Sequence, residues 1–117
     1  FRELESAAVH LVSGLDNHVI STGGGVVLRD LNLEMLRRNG VIFCLTATPE
    51  EIWRRVGHET HRPLLQAPDP LGKIRQMLAG RAPYYAGADY EIQTTGLSIE
   101  AIADKIIEVF QHAIHSR

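Results

Sequence analysis

Arginines and stretches of bare backbone are the parts of this chain best equipped for chemistry. Arg2 precedes Glu5 by three positions, and Thr22-Gly23-Gly24-Gly25 follows the β-branched run His18 to Ser21. Arg62 stands in a stretch with no period, and Arg81 precedes Pro83-Tyr84-Tyr85. Guanidinium forks bind carboxylates and phosphates in a planar, bidentate way. Glycines let the backbone approach a ligand closely and adopt positive φ. The triplet also suits a plain tight turn feeding a helix, and Arg2 with Glu5 also suits an ordinary surface ion pair.

Other chemistries find little support. The six histidines are scattered without zinc-site spacing, and His10, His112 and His115 fall on helical tracts as solvated surface. No nucleophile elbow occurs. The single cysteine, Cys44, lies in the apolar run Val41 to Leu45 and reads as a small buried hydrophobe in a reducing compartment. Twelve Lys+Arg against fourteen Asp+Glu give a formal net charge of -2, which argues against nucleic acid or a membrane surface as partner. No run is long enough for a membrane span and no leader opens the chain, so the expected location is cytoplasmic.

The elements that must position these residues follow from hydropathy and capping. With 117 residues and 44% hydrophobic content, a single domain over 1–117 is expected. Phe1, Leu4, Ala8 and Leu11 predict an amphipathic helix ending near Gly14. His18 to Ser21 predicts a strand, and Leu31, Leu33, Met35 and Leu36 a helix stopped by Asn39-Gly40. The nearly continuous apolar run Val41 to Thr46 predicts a central strand covered on both faces. Thr48-Pro49-Glu50-Glu51 is a capping box for a helix carrying Ile52, Trp53 and Val56, with Arg54 and Arg55 complementing its C-terminal dipole. A lid or binding loop is expected over about 57–70. Asp69-Pro70 then starts a helix with Leu71, Ile74 and Leu78 on one face. Tyr90 to Thr94 alternates as an edge strand. Ser98 caps a last helix whose stripe is Ile99, Ile102, Ile106, Val109 and Phe110. Alternation of this kind predicts an α/β fold with a parallel, doubly wound sheet.

Taken in order, Phe1-Arg2-x-x-Glu5, Thr22-Gly23-Gly24-Gly25, Arg62-Pro63-Leu64-Leu65 and Arg81-Ala82-Pro83-Tyr84-Tyr85 with Ala88-Asp89 resemble the shikimate kinase family. The likeness runs across essentially the whole chain and corresponds to the later two-thirds of such a kinase. It implies a P-loop kinase-like sheet and transfer of the ATP γ-phosphoryl group to the 3-hydroxyl of shikimate, on the chorismate route to aromatic amino acids. Arg2, held by Glu5, and Arg81 would take the shikimate carboxylate. Gly23, Gly24 and Gly25 would lie against the substrate. Arg62 would act catalytically, neutralising phosphate charge from the lid. Arg55, Arg62 and Pro63 would lie against the nucleotide, with Thr94 to Ser98 as the adenine loop.

The family's G-x-x-x-x-G-K-[ST] loop and the aspartate after it do not occur in these residues. Nothing here replaces their hold on ATP and Mg²⁺, which fall mainly to a segment ahead of Phe1. The expectation is a kinase fragment inactive by itself, or else a non-catalytic shikimate-binding or oligomerising module. The absent strand would run between His18–Ser21 and Val41–Thr46, uncovering two sheet edges. Direct pairing of those strands, or a second copy of the chain in a homo-oligomer, is expected to close the gap.

Overall fold

The computed structural model describes residues 1–57 and 68–115. Five helices and two strands alternate along them: α1 (Arg2–Val12), α2 (Asp30–Arg38), β1 (Phe43–Thr46), α3 (Pro49–Val56), α4 (Pro70–Tyr85), β2 (Tyr90–Gln93) and α5 (Ile99–His115). A 3₁₀ turn, Gly24–Leu28, precedes α2.

The helix starts form where local hydrogen bonding dictates. Thr48 Oγ1 accepts from the Glu51 amide at 3.2 Å, with Pro49 in the first turn of α3. Asp69 Oδ1 accepts from Gly72 N at 3.0 Å ahead of α4, and Ser98 Oγ from Ala101 N at 3.1 Å ahead of α5. Helix α4 runs through Pro83 to Tyr85, which keeps Arg81 and Tyr85 one turn apart on one element.

The sheet is parallel, as alternation requires, with β1 and β2 in register from Phe43 opposite Tyr90 to Thr46 opposite Gln93. Both ends of the ladder are pinned. Asp89 Oδ2 accepts from Ile42 N at 2.7 Å, Arg37 Nε lies 3.4 Å from Asp89 Oδ1, and Phe43 stacks on Tyr90 with ring centroids 5.5 Å apart. At the other end Thr94 N and Thr94 Oγ1 each donate to Thr46 O at 2.7 Å. Alternation in β2 is realised: Ile92 is buried between exposed Glu91 and Gln93.

Three expectations are corrected. His18–Ser21 is not a strand, and Val19 is fully exposed. A strand needs ladder partners, and among the described residues β1 pairs with β2 alone, so direct pairing across the gap does not form. Nor is β1 central: Leu45 is 54% exposed, which is an edge and not a strand covered on both faces. On α1, Phe1, Leu4 and Leu11 face outward, and the buried residue is Val9, on another face.

The core follows from these placements. Val9, Val26, Val27, Leu33 and Met35 form one cluster, with Leu36, Ile42 and Tyr85 packed against it. It joins α1, the 3₁₀ turn, α2 and the end of α4 directly behind the glycine triplet. Elsewhere, Ile74 of α4 is only 1% exposed, and α4 packs on α3. On α5 the inward positions are Ile102, Ile106, Val109 and Ala113, while Ile99 and Phe110 are exposed. No helix among the described residues is long and apolar enough to cross a membrane.

Candidate functional site

Two guanidinium groups meet at the glycine triplet. Arg2, on the first turn of α1, donates Nη1 to Glu5 Oε1 at 2.9 Å. The Glu5 carboxylate is 13% exposed and the Arg2 side chain 37%, so the pair is more than a surface decoration. Arg2 also sits over the Phe1 ring, its Cζ 5.2 Å from the centroid. Its guanidinium abuts Gly25: a β-carbon there would come within 2.6 Å of Nη2 and 2.8 Å of Cζ, and closer still to Nη1.

Arg81 arrives from α4 on the other side. A β-carbon at Gly24 would lie 3.3 Å from Arg81 Nη1 and 3.1 Å from Tyr85 Oη, and Arg81 Nη1 donates to Tyr85 Oη at 3.5 Å. Gly23 has nothing within 4 Å of where its β-carbon would be. The triplet therefore works by lacking side chains and not by backbone freedom. Gly23 has φ -69°, and among the described residues the glycine with positive φ is Gly96. Expected positive φ at the triplet is thereby corrected, and the groups that stand close to Gly24 and Gly25 are the chain's own Arg81, Tyr85 and Arg2 side chains.

Buried groups hold the triplet in place. Val26 N donates to Gly23 O at 3.2 Å, closing the turn. Asn32, completely buried on α2, donates Nδ2 to Val26 O at 2.9 Å, which fixes the turn from below. Arg29 Nη1 reaches Ser6 Oγ on α1 at 3.3 Å, tying the far end of the turn to the helix that carries Arg2. Beside the site, a groove of about 190 Å³ runs between α1 and residues 20–23, lined by Glu5, Val9, Ile20 and Gly23 among others. Neither Arg2 nor Arg81 lines it. The convergent charges define the site better than that small concavity does.

Arg55 is held elsewhere. Its Nη2 donates to Thr94 O at 3.3 Å and Thr94 Oγ1 at 3.2 Å, and its Nε to Glu51 Oε1 at 3.0 Å. The structure thus joins Arg55 to the start of the Thr94 to Ser98 turn, and does not join it to Arg2 and Arg81. Arg62 and Pro63 lie outside the described residues.

Glu51 accepts from both Arg54 and Arg55. The Arg54 hydrogen bonds, followed by the Arg55 bond and the two positive charges, hold its carboxyl at about 2 against an ordinary 4.5. A carboxylate with a depressed folded-state pKa stabilises the fold fully above its unfolded value and loses that contribution as pH falls through the folded one. In melts at successive pH values, the advantage of the wild type over Glu51→Gln is expected to shrink between pH 4.5 and pH 2. A difference constant across that window would contradict the assignment.

No group of three or more His, Cys, Asp or Glu able to hold a metal ion occurs among the described residues. With no G-x-x-x-x-G-K-[ST] in the sequence, the residues present do not fit a magnesium–nucleotide complex, and no step is derived through one.

The decisive comparison is a family profile described as shikimate kinase, which matches residues 1–111. The chain belongs to the shikimate kinase family. Curated relatives include shikimate kinases of Thermoanaerobacter pseudethanolicus, 46% identical over 110 residues, and of Caldanaerobacter subterraneus subsp. tengcongensis, 48% identical over 110 residues. Each match covers 94% of this chain and 64% of the relative, so the chain spans under two-thirds of their length. Among solved structures, shikimate kinase from Acinetobacter baumannii in complex with shikimate superimposes with a TM-score of 0.85 at 30% identity, covering 97% of this chain and 64% of that one. The shikimate kinase from Bacteroides thetaiotaomicron gives 0.83 at 33% identity, covering 94% and 67%. The P-loop kinase fold with a parallel sheet and flanking helices is therefore the fold of this chain.

The family resemblance singled out Arg2, Glu5, Gly23, Gly24, Gly25 and Arg81, and the structure brings Arg2 and Glu5 to Gly25 and Arg81 to Gly24. It did not single out Tyr85 or Asn32. The i to i+4 relation between Arg81 and Tyr85 was a readable signal. Asn32 left none, because its role depends on a carbonyl six residues away being turned inward.

Proposed function

We propose that this chain carries the acceptor-binding part of an ATP-dependent shikimate kinase, with Arg2 and Arg81 taking the shikimate carboxylate above Gly24 and Gly25. The observation that carries it is the convergence of two guanidinium groups on glycines that a β-carbon would crowd. Such a floor lets both forks sit against one stretch of backbone, where a single anionic group can meet the two. Glu5 orients Arg2 and leaves that guanidinium donors to spare for a ligand.

In this reading Gly23 borders the ligand, and Arg55 with the Thr94 to Ser98 turn borders the nucleotide. Arg62 and Pro63 serve the phosphates from the stretch between α3 and α4. ATP and Mg²⁺ are held by parts of a complete kinase that these residues do not supply, so the 117-residue chain by itself transfers no phosphoryl group. Residues 1–117 act as one domain, working in the cytoplasm. The non-catalytic reading, a shikimate-binding or oligomerising module, draws on one observation, the fully exposed Val19 in an unpaired segment that a second copy could cover.

Titration of the chain with shikimate tests the proposal. Saturable binding is expected, and the absence of binding by a cooperatively folded chain would contradict it.

A further inference from the structure

Tyr85 is placed where packing alone does not require a hydroxyl. Its half-buried ring packs against the cluster of Val9, Val26, Val27, Leu33 and Met35. The phenol oxygen emerges at Gly24, 3.1 Å from where a β-carbon would stand, and accepts from Arg81 Nη1 at 3.5 Å. The adjacent Tyr84, by contrast, is 42% exposed. A phenol that accepts from a guanidinium still has its own proton to donate. An anion drawn to Arg81 therefore meets a second donor already in place, carried on a ring whose freedom the core has removed.

We propose that Tyr85 is a ligand-contacting and positioning residue of the carboxylate site. Its hydroxyl holds the Arg81 guanidinium over Gly24 and donates its proton to the carboxylate that Arg81 binds. The proposal rests on the shikimate reading above and deepens it. A site built this way favours an anion with two adjacent acceptor oxygens, because fork and hydroxyl converge on one point.

Tyr85→Phe keeps the ring and removes only the oxygen. Calorimetric titration with shikimate is expected to show roughly tenfold weaker binding in Tyr85→Phe, the scale of one hydrogen bond to a charged group, with an unchanged melting temperature. Residues that act as one unit are non-additive. In an Arg81→Lys background, which lacks the planar fork, the same substitution is expected to have little effect. A crystal structure of Tyr85→Phe is expected to show Arg81 displaced from Gly24. Wild-type affinity in Tyr85→Phe would overturn the proposal, as would a full tenfold loss in the Arg81→Lys background. If the wild type does not bind shikimate, the underlying reading fails and the ligand contact with it. Arg81 still seated over Gly24 in the Tyr85→Phe crystal structure would then separately overturn the positioning role.

Discussion

Gly25→Ala is expected to lose shikimate binding by roughly 100-fold while leaving the fold intact, the scale set by losing a bidentate, charge-assisted pair. The added methyl would occupy the space of the Arg2 guanidinium, whose Nη2 lies 2.6 Å from that point. Such an overlap must be relieved, and the atoms that yield are the far end of a flexible, partly exposed side chain and not backbone. Arg2 therefore swings away, its bond to Glu5 breaks, and the carboxylate grip loses one of its two sides. The matched control is Gly23→Ala, where nothing lies within 4 Å, and near-wild-type affinity is expected. Titration of both variants beside thermal melts checks the pair. Equal losses in the two, or a Gly25→Ala chain that no longer melts cooperatively, would show that the triplet serves folding rather than binding.

Removing the other side of the grip should cost as much. Arg81→Ala takes away a fork held at Gly24 and is expected to weaken shikimate binding by about 2–3 kcal/mol, on the order of 100-fold. Arg81→Lys restores the charge but not the planar donors, and is expected to recover only part of that loss. Full recovery by lysine would mean that the site attracts charge without reading the shape of a carboxylate. Arg81 is half-buried, two turns beyond the buried Ile74 on α4, so the melt of each variant is recorded beside its affinity. Loss of binding with an unchanged melt can therefore be assigned to the site.

The legible and illegible parts of this fold divide by range. Thr48, Asp69 and Ser98 mark helix starts whose side-chain caps close within three residues, and each cap forms. The expected capping box is only half made, because the Thr48 amide donates to Thr95 Oγ1 while Glu51 is taken by Arg54 and Arg55. The alternation Tyr90 to Gln93 also survives, because one buried residue, Ile92, fixes which face turns inward. His18 to Ser21 has the composition of a strand and does not become one, since composition cannot supply a neighbouring ladder. Leu45 is misjudged for the same reason: a continuous apolar run says what a strand tolerates, not how many neighbours it has.

At the site, residue types and spacing left the triplet open as a plain turn and Arg2 with Glu5 as a surface pair, and it was the resemblance to the family that grouped Arg2, Glu5, Gly24, Gly25 and Arg81. How the glycines work was not readable, because the same triplet suits positive φ and close approach equally well. The structure selects close approach, with extended or 3₁₀ backbone and guanidinium groups where side chains would be. Asn32 shows the same limit from the inside. A buried amide on α2 holds the Val26 carbonyl, and nothing in the local pattern announces it.

The most direct test of the central claim is an amide map of the ¹⁵N-labelled chain titrated with shikimate. Saturable shifts are expected at Gly24 and Gly25 and at the side-chain Nε–H groups of Arg2 and Arg81, with Arg55 and the Thr94 to Ser98 turn unmoved. Shifts centred on Arg55, or a folded chain whose spectrum does not respond to shikimate at all, would contradict the claim that these two arginines and their glycine floor form the acceptor site.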